Sequence, residues 1–161
     1  MVKFTSKKKS IERMDNMVLE EKKIKKICSF YVSEYHLEIM LLPYITKKMS
    51  NEEKIAIITE KNLRETLEVV IERTNLENKK KEQIINLGWN NKLIKNIDTN
   101  SNVIIIGNEK FIDNIMVEFK EKQIECLSII ACYDYNEVMN NIQEITSKYS
   151  GMLNTLGINR I

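Results

Sequence analysis

The sequence predicts an α/β domain with a mostly parallel, five-stranded sheet and helices on both faces of that sheet. Short apolar runs rich in β-branched residues alternate with longer segments in which apolar residues recur every three or four positions. This alternation is typical of strands joined by helical crossovers, which favour parallel pairing. The length of 161 residues suits one domain of ordinary size.

Five apolar runs are predicted to form the strands: 27–32, 55–59, 83–87, 103–106 and 124–132. The run at 83–87 is brief, since a charged turn precedes it and Gly88 ends it. Helical spacing of apolar residues predicts helices at 34–49, from Leu63 through Ile71, at 109–122 and at 136–150, with a shorter one at 91–97. Ser33 is the predicted cap of the first helix, and Pro43 is expected to kink or break it.

The first 26 residues are predicted to form a basic arm ahead of a single domain at 27–161. They hold nine Lys and Arg against four Asp and Glu, which leaves the arm at +5 and the remainder at −3. Ile11, Met14 and Val18 lie on one helical stripe, so the arm is expected to contain a short amphipathic helix. Its charge suits nucleic acid, an anionic membrane surface or an acidic protein. The alternative is that the lysines only solvate a chain terminus, and we expect the arm to be separable from the domain.

Lysine, asparagine and isoleucine are plentiful while alanine, glycine and proline are scarce, a usage typical of AT-rich bacterial genomes. The targeting and cysteine patterns predict a cytoplasmic protein. No run approaches the roughly 18 uncharged apolar residues of a membrane span, and the N-terminus lacks the apolar core of a signal peptide. The three cysteines form an odd set, which suits a reducing compartment better than a disulfide framework.

The usual nucleotide, metal and nucleophile motifs are not found. The four glycines are too far apart to build GxxxxGK[ST] or GxGxxG, so a P-loop and tight ATP or GTP binding are not expected. His36 is the only histidine and lacks an identifiable orienting carboxylate, so we interpret it as a helix-surface or core-edge residue. Cys126 and Cys132 are interpreted as buried apolar thiols rather than metal ligands. No catalytic residue, metal or cofactor is therefore predicted.

The predicted binding site lies where the apolar strands end, because open parallel sheets bind ligands at the carboxyl ends of their strands. The carboxylates and aromatic side chains there suit a small organic, cationic or hydroxyl-rich guest. The alternative is that Ser33, Glu109 and Asn136 cap helices while Glu60 and Asp134 interact with helix dipoles. The candidate ligand-binding residues are Tyr31, Glu60, Trp89, Glu109, Tyr133 and Asp134.

The order of these segments resembles the MEDS domain, a sensory domain of methanogen and methylotroph regulators that is itself similar to a RecA-like or circadian-clock-ATPase-like core. The likeness is carried by residues 27–31, Leu42-Pro43-Tyr44-Ile45, 54–60 and 126–134. The family strand that resembles 104–109 ends in a glycine and a glutamate, which match Gly107 and Glu109. The segment between the third and fourth strands is shorter than in the family. We recognise no DNA-binding helix-turn-helix or kinase domain within these 161 residues, so we expect the sensory role that the resemblance implies to be exercised through a partner.

The leading hypothesis is a non-enzymatic signalling module that binds a small ligand or a protein partner at the carboxyl edge of its sheet. One alternative is a small enzyme that uses Glu60, Glu109 or Asp134 as acid or base, which requires a carboxylate of raised pKa in a closed pocket. The other is a regulator associated with nucleic acid through its basic arm.

Overall fold

A computed structural model describes residues 25–161 except 91, 93 and 95. The helices are α1 (Glu34–Ser50), α2 (Arg64–Glu72), α3 (Asn78–Ile85), α4 (Glu109–Glu121), α5 (Tyr135–Val138) and α6 (Ile142–Thr146). The strands are β1 (Lys26–Tyr31), β2 (Lys54–Thr59), β3 (Ser101–Ile106), β4 (Ser128–Asp134), β5 (Gly151–Asn154) and β6 (Gly157–Arg160). The predicted amphipathic helix of the arm lies outside the described residues.

The strands form one sheet in the order β2-β3-β4-β1-β5-β6. All neighbouring pairs are parallel except β5 and β6, which form an antiparallel hairpin. Because β1 lies between β4 and β5, the first strand of the domain forms the centre of the sheet. The predicted α/β class with a mostly parallel sheet is confirmed, with six strands rather than five.

Each face of the sheet carries its own apolar core. Helices α1, α2 and α3 cover the front face, where Ile57, Ile104 and Ile130 are buried. Helices α4, α5 and α6 cover the back face, where Ile58 and Ile105 are buried. Neighbouring residues of one strand therefore point to opposite cores, as the period of two in a strand requires. The continuous apolar runs arise because both faces are covered.

The predicted strand at 83–87 is wrong, because this segment belongs to α3 and the turn after it. The lysines, glutamate and glutamine of Asn78–Ile85 favour a helix, and a helix needs only one apolar face. Ile84 is the residue of α3 that is fully buried. A strand inside the sheet would instead have needed apolar side chains on both sides.

The structure differs from the predictions most at the C-terminus. The predicted helix 136–150 is divided into α5 and α6. The hairpin β5–β6 follows, where the sequence predicted only that glycines end the last helix. A two-residue turn closes the hairpin, with Asn154 Oδ1 accepting a hydrogen bond from Leu156 N at 2.9 Å. Gly157 has a φ of 116°, which glycine adopts without strain. Helix α1 continues through Pro43, so the predicted break does not occur. The helix predicted at 91–97 is not formed at residues 92, 94, 96 and 97.

Candidate functional site

The carboxyl ends of β1, β2, β3 and β4 meet at one edge of the sheet, which we call the carboxyl edge. From β1 the chain leaves to the front face, and from its neighbour β4 it leaves to the back face. Neighbouring strands that diverge in this way leave a crevice between them, which is where ligands bind in open α/β sheets. The predicted binding site at the carboxyl edge therefore includes such a switch point, between β1 and β4.

Tyr31 and Asp134 are brought together at this switch point, because they are paired in register as the last residues of β1 and β4. Tyr31 is buried, whereas Asp134 is half-buried. Burial raises the pKa of the Tyr31 phenol, and the negative charges of Asp134, Glu137 and Glu34 raise this pKa further. The crevice thus combines a neutral phenol with three carboxylates, which favours a cationic group over an anionic one.

The connection from β1 to α1 consists of two residues, Val32 and Ser33. Ser33 caps α1, since its Oγ accepts a hydrogen bond from His36 N at 3.1 Å. The His36 imidazole binds the same turn, with Nδ1 accepting from Val32 N at 3.1 Å. This bond requires an unprotonated Nδ1, so a neutral ring carries its proton on Nε2. His36 therefore orders the turn at the start of α1.

Glu60 and Glu109 lie beside the second divergence, where β2 leads to the front face and β3 to the back face. Both side chains are half-buried. Glu60 N donates to Ile106 O at 2.8 Å, so the turn after β2 remains attached to the end of β3. Glu109 is the first residue of α4, which Asn108 caps by accepting from Phe111 N at 2.7 Å. Glu109 itself is thus not the cap, although its charge favours the helix N-terminus.

Gly107 is needed at this divergence because the backbone approaches other groups closely. A Cβ at this position would lie 2.4 Å from Phe111 Cδ1 and 3.2 Å from Glu60 Cβ. We expect Gly107→Ala to lower the free energy of unfolding by about 1–3 kcal/mol, the usual cost of overpacking. The cost should fall in a Phe111→Ala background, because the nearest clashing atoms are then removed. Urea denaturation of the four proteins measures this coupling.

Gly157→Ala is the matched control for Gly107→Ala. No atom lies within 4 Å of a Cβ placed at Gly157, so its substitution adds only the strain of a positive φ. The Gly157→Ala cost should be the same in the wild-type and Phe111→Ala backgrounds. An equal Gly107→Ala cost in both backgrounds would contradict the proposed contact.

Trp89 and Tyr133 are buried in the cores, whereas the candidate carboxylates Glu60, Glu109 and Asp134 are half-buried. Trp89 is 1 % exposed on the front face, and its Nε1 donates to Ile84 O at 2.7 Å. Tyr133 lies on the back face, where its hydroxyl is 2.6 Å from that of Tyr149 and its ring is 5.9 Å from that of Phe30. Burial raises the pKa of Tyr133 to about 12, opposed by the hydrogen bond with Tyr149. Both rings are therefore core residues that pack on the two faces of the sheet rather than side chains displayed at the carboxyl edge.

Glu38 is a buried carboxyl that the sequence interpretation did not single out. It lies between α1 and α2, where Oε1 accepts from Thr66 Oγ1 at 2.5 Å and Oε2 has no partner among the described residues. Burial raises its pKa to about 7, against the effect of the Thr66 hydrogen bond. A sequence signal did exist, because Glu38 is four and seven residues before Leu42 and Ile45, which are also buried.

Large apolar side chains are exposed around the β1–β4 crevice. Leu156 is 93 % exposed in the β5–β6 turn, which lies at the carboxyl edge because β5 is parallel to β1. Val32 and Tyr35 follow β1, while Tyr135 and Met139 follow β4. We call these five residues the edge patch. Several exposed apolar groups at one edge of a sheet are typical of interaction surfaces.

Two surface grooves lie elsewhere. One, of about 600 Å³, is at the amino edge between the end of α4 and the starts of β1 and β4. The other, of about 650 Å³, follows β2 and the turn after α3. Over the described ranges, no three His, Cys, Asp or Glu side chains are grouped to hold a metal ion. None of the described helices is long and apolar enough to cross a membrane.

Comparisons with protein-family models, curated proteins and solved structures find no match to this chain.

Proposed function

We propose that this chain is a non-enzymatic regulatory module that binds a partner at the carboxyl edge, in the manner of the MEDS-like sensory domains it resembles. The observation that carries the proposal is the edge patch around a crevice with three carboxylates. The five exposed apolar side chains follow β1, β4 and β5, and Glu34, Asp134 and Glu137 are close enough to Tyr31 to raise its pKa. A surface of this kind favours a protein partner that is apolar with basic flanks, because apolar contact supplies affinity and opposite charge supplies specificity.

Two further observations support the proposal. The two-residue turn between β1 and α1 contains no glycine-rich loop for a phosphate chain. All three cysteines, Cys28, Cys126 and Cys132, are free thiols. Because free thiols persist in a reducing compartment, we propose the cytoplasm as the place where the module acts. A small cationic ligand in the β1–β4 crevice remains the alternative occupant of the same edge.

We expect Leu156→Asp to abolish partner binding without loss of stability, because this leucine is almost fully exposed. Asp134→Asn should weaken binding to a partner with basic groups while keeping the cap of α5, since asparagine caps helices as well as aspartate does. Glu109→Gln tests whether the divergence between β2 and β3 contributes to binding. Affinity capture with quantitative mass spectrometry would identify proteins that the wild type retains and Leu156→Asp loses.

Val69→Asp is the matched control, since this valine is exposed on α2 away from the edge patch. A captured protein is accepted only after calorimetry with the purified partner reproduces the difference. If Leu156→Asp and Asp134→Asn both bind that partner as the wild type does, the edge assignment fails. Native mass spectrometry that shows a retained small cation, lost in Asp134→Asn, would instead support the ligand alternative.

A further inference from the structure

Glu38 and Thr66 form a polar contact between α1 and α2, and we call these two residues the Glu38–Thr66 pair. Glu38 is fully buried, and its Oε1 lies 2.5 Å from Thr66 Oγ1, which also lies 3.1 Å from Leu63 O. Glu38 Oε2 has no hydrogen-bond partner among the described residues. An ionised carboxyl in this position would therefore keep an unsatisfied oxygen in the interior, which is unfavourable compared with its hydration in water.

The number of protons that the pair needs favours the neutral acid. Thr66 has one hydroxyl proton but two acceptors within reach, Glu38 Oε1 and Leu63 O. When Glu38 carries a proton on Oε1, it can donate to Thr66 Oγ1, and the threonine proton is then free for Leu63 O. When Glu38 is ionised, the single proton of Thr66 has to serve both acceptors. The closed contact between the two helices is thus best satisfied with two protons.

The charges around Glu38 do not compensate its ionisation. Glu38 forms no ion pair among the described residues, and the charge that acts on it from its own helix, that of Glu34, is also negative. His36 of α1 binds the turn after β1, and Arg64 of α2 binds Glu68 at 3.2 Å. The remaining titratable groups of α2, β1 and β2 are exposed, neutral or paired elsewhere, namely Glu65, Glu72, Lys26, Cys28, Tyr31 and Lys54.

Helix α2 is the element that can move away from the pair. It has only nine residues, and its N-cap residue Leu63 supplies no side-chain hydrogen bond. Helices this short are marginal without tertiary contacts. The buried residues of α2 are Leu67 and Ile71, whereas α1 has 17 residues, seven of them buried, and is capped by Ser33. Release of α2 therefore disrupts fewer contacts than release of α1.

We propose that the Glu38–Thr66 pair is a proton-dependent switch, in which the neutral acid holds α2 on α1 and loss of the proton releases α2 while the sheet stays folded. Burial raises the pKa of Glu38 to about 7, against an ordinary value of 4.5. Since release returns the carboxyl to water, opening becomes more favourable as the pH rises from about 4.5 to about 7 and constant above that window. The switch does not depend on the function proposed for the carboxyl edge.

Hydrogen exchange followed by mass spectrometry tests the switch in the full chain. The amides of residues 67–72, which bond within α2 or to its N-cap, should lose protection by on the order of a hundredfold between about pH 4.5 and about pH 8, after correction for the ordinary effect of pH on exchange. Low urea should hardly change this protection, because local release exposes little surface. The amides of β3 open only when the sheet unfolds, so low urea should reduce their protection.

Glu38→Gln should keep residues 67–72 protected across the whole pH range, because glutamine does not ionise. Glu65→Gln is the matched control and should behave as the wild type does, since this carboxylate is exposed on the same helix. Thr66→Val should lower the protection at pH 5 by roughly tenfold through loss of one hydrogen bond, and Thr66→Ser should retain it.

Three results would each overturn the switch. The first is protection of residues 67–72 that does not change with pH in the wild type. The second is a pH-dependent loss of protection that persists in Glu38→Gln. The third is protection of residues 67–72 that equals that of β3 and falls with urea in the same way, which would show that Glu38 acts only through unfolding of the whole domain.

Discussion

Replacing Trp89 with alanine is expected to lower the free energy of unfolding by about 3–5 kcal/mol, which is the usual cost of deleting a buried aromatic ring. Trp89 belongs to the front-face cluster, together with Leu63 and Ile84. Its indole Nε1 donates to Ile84 O, and its own carbonyl oxygen accepts from Leu63 N at 3.0 Å. Trp89 thus joins the end of α3, through its side chain, to the loop that follows β2, through its backbone carbonyl. Urea denaturation followed by circular dichroism measures the loss.

Trp89→Phe separates the ring from its hydrogen bond. This variant should lose about 0.5–1.5 kcal/mol, since phenylalanine retains most of the apolar contact and removes one hydrogen bond, while Leu87 N still donates to Ile84 O at 3.2 Å. Partner binding by Trp89→Phe should remain as in the wild type, because the indole is buried rather than displayed at the edge. A stable Trp89→Ala variant that has lost partner binding would show that Trp89 is a contact residue.

The ionisation of Glu38 is expected to make the domain less stable as the pH rises from about 4.5 to about 7. In that window the unfolded chain releases the proton of Glu38, whereas the folded protein retains it. Because the folded state binds more protons there, stability falls by about 1.4 kcal/mol for each pH unit, or about 3 kcal/mol in all. The penalty is absent below the window and constant above it. Glu34 contributes to the raised pKa through its like charge.

Glu38→Gln should remove this pH dependence. Glutamine does not ionise, and its Oε1 can still accept the hydrogen bond from Thr66. We expect the variant to resemble the wild type near pH 4.5 and to be more stable at pH 8, by up to about 3 kcal/mol. Glu72→Gln, an exposed residue of α2, is the matched control and should follow the wild type. Parallel stability curves for wild type and Glu38→Gln between pH 4.5 and 8 would contradict this assignment.

Four of the predicted strands are confirmed, because their apolar runs are long enough to be buried on both faces. The run that became α3 was misleading, since Ile84, Ile85 and Leu87 suit a strand if only their apolar character is counted. The hairpin after Gly151 was missed for the opposite reason. β6 is an edge strand with mostly exposed side chains, so it has little apolar signal.

The sequence predicted candidate residues that end or follow its apolar runs, but it did not separate exposed edge residues from buried core residues. Tyr31, Trp89 and Tyr133 follow or end apolar runs, yet their rings are buried. Their depth depends on helices packed from distant parts of the chain, which local pattern does not specify. Leu156 was overlooked because the hairpin turn that exposes it was not predicted. Glu38 was overlooked because a charged residue is normally assigned to the solvent face of a helix.

The central position of β1 has a consequence for biosynthesis. Both neighbours of this strand, β4 and β5, lie more than a hundred residues later in the chain. The ribosome therefore produces β1, β2 and β3 well before β1 can pair on either side. During that interval the apolar strand Lys26–Tyr31 has open edges, which are prone to pairing with other chains. Folding of the sheet should therefore occur late and depend on many nonlocal contacts. A chaperone would act mainly on the nascent chain, where β1 is still unpaired.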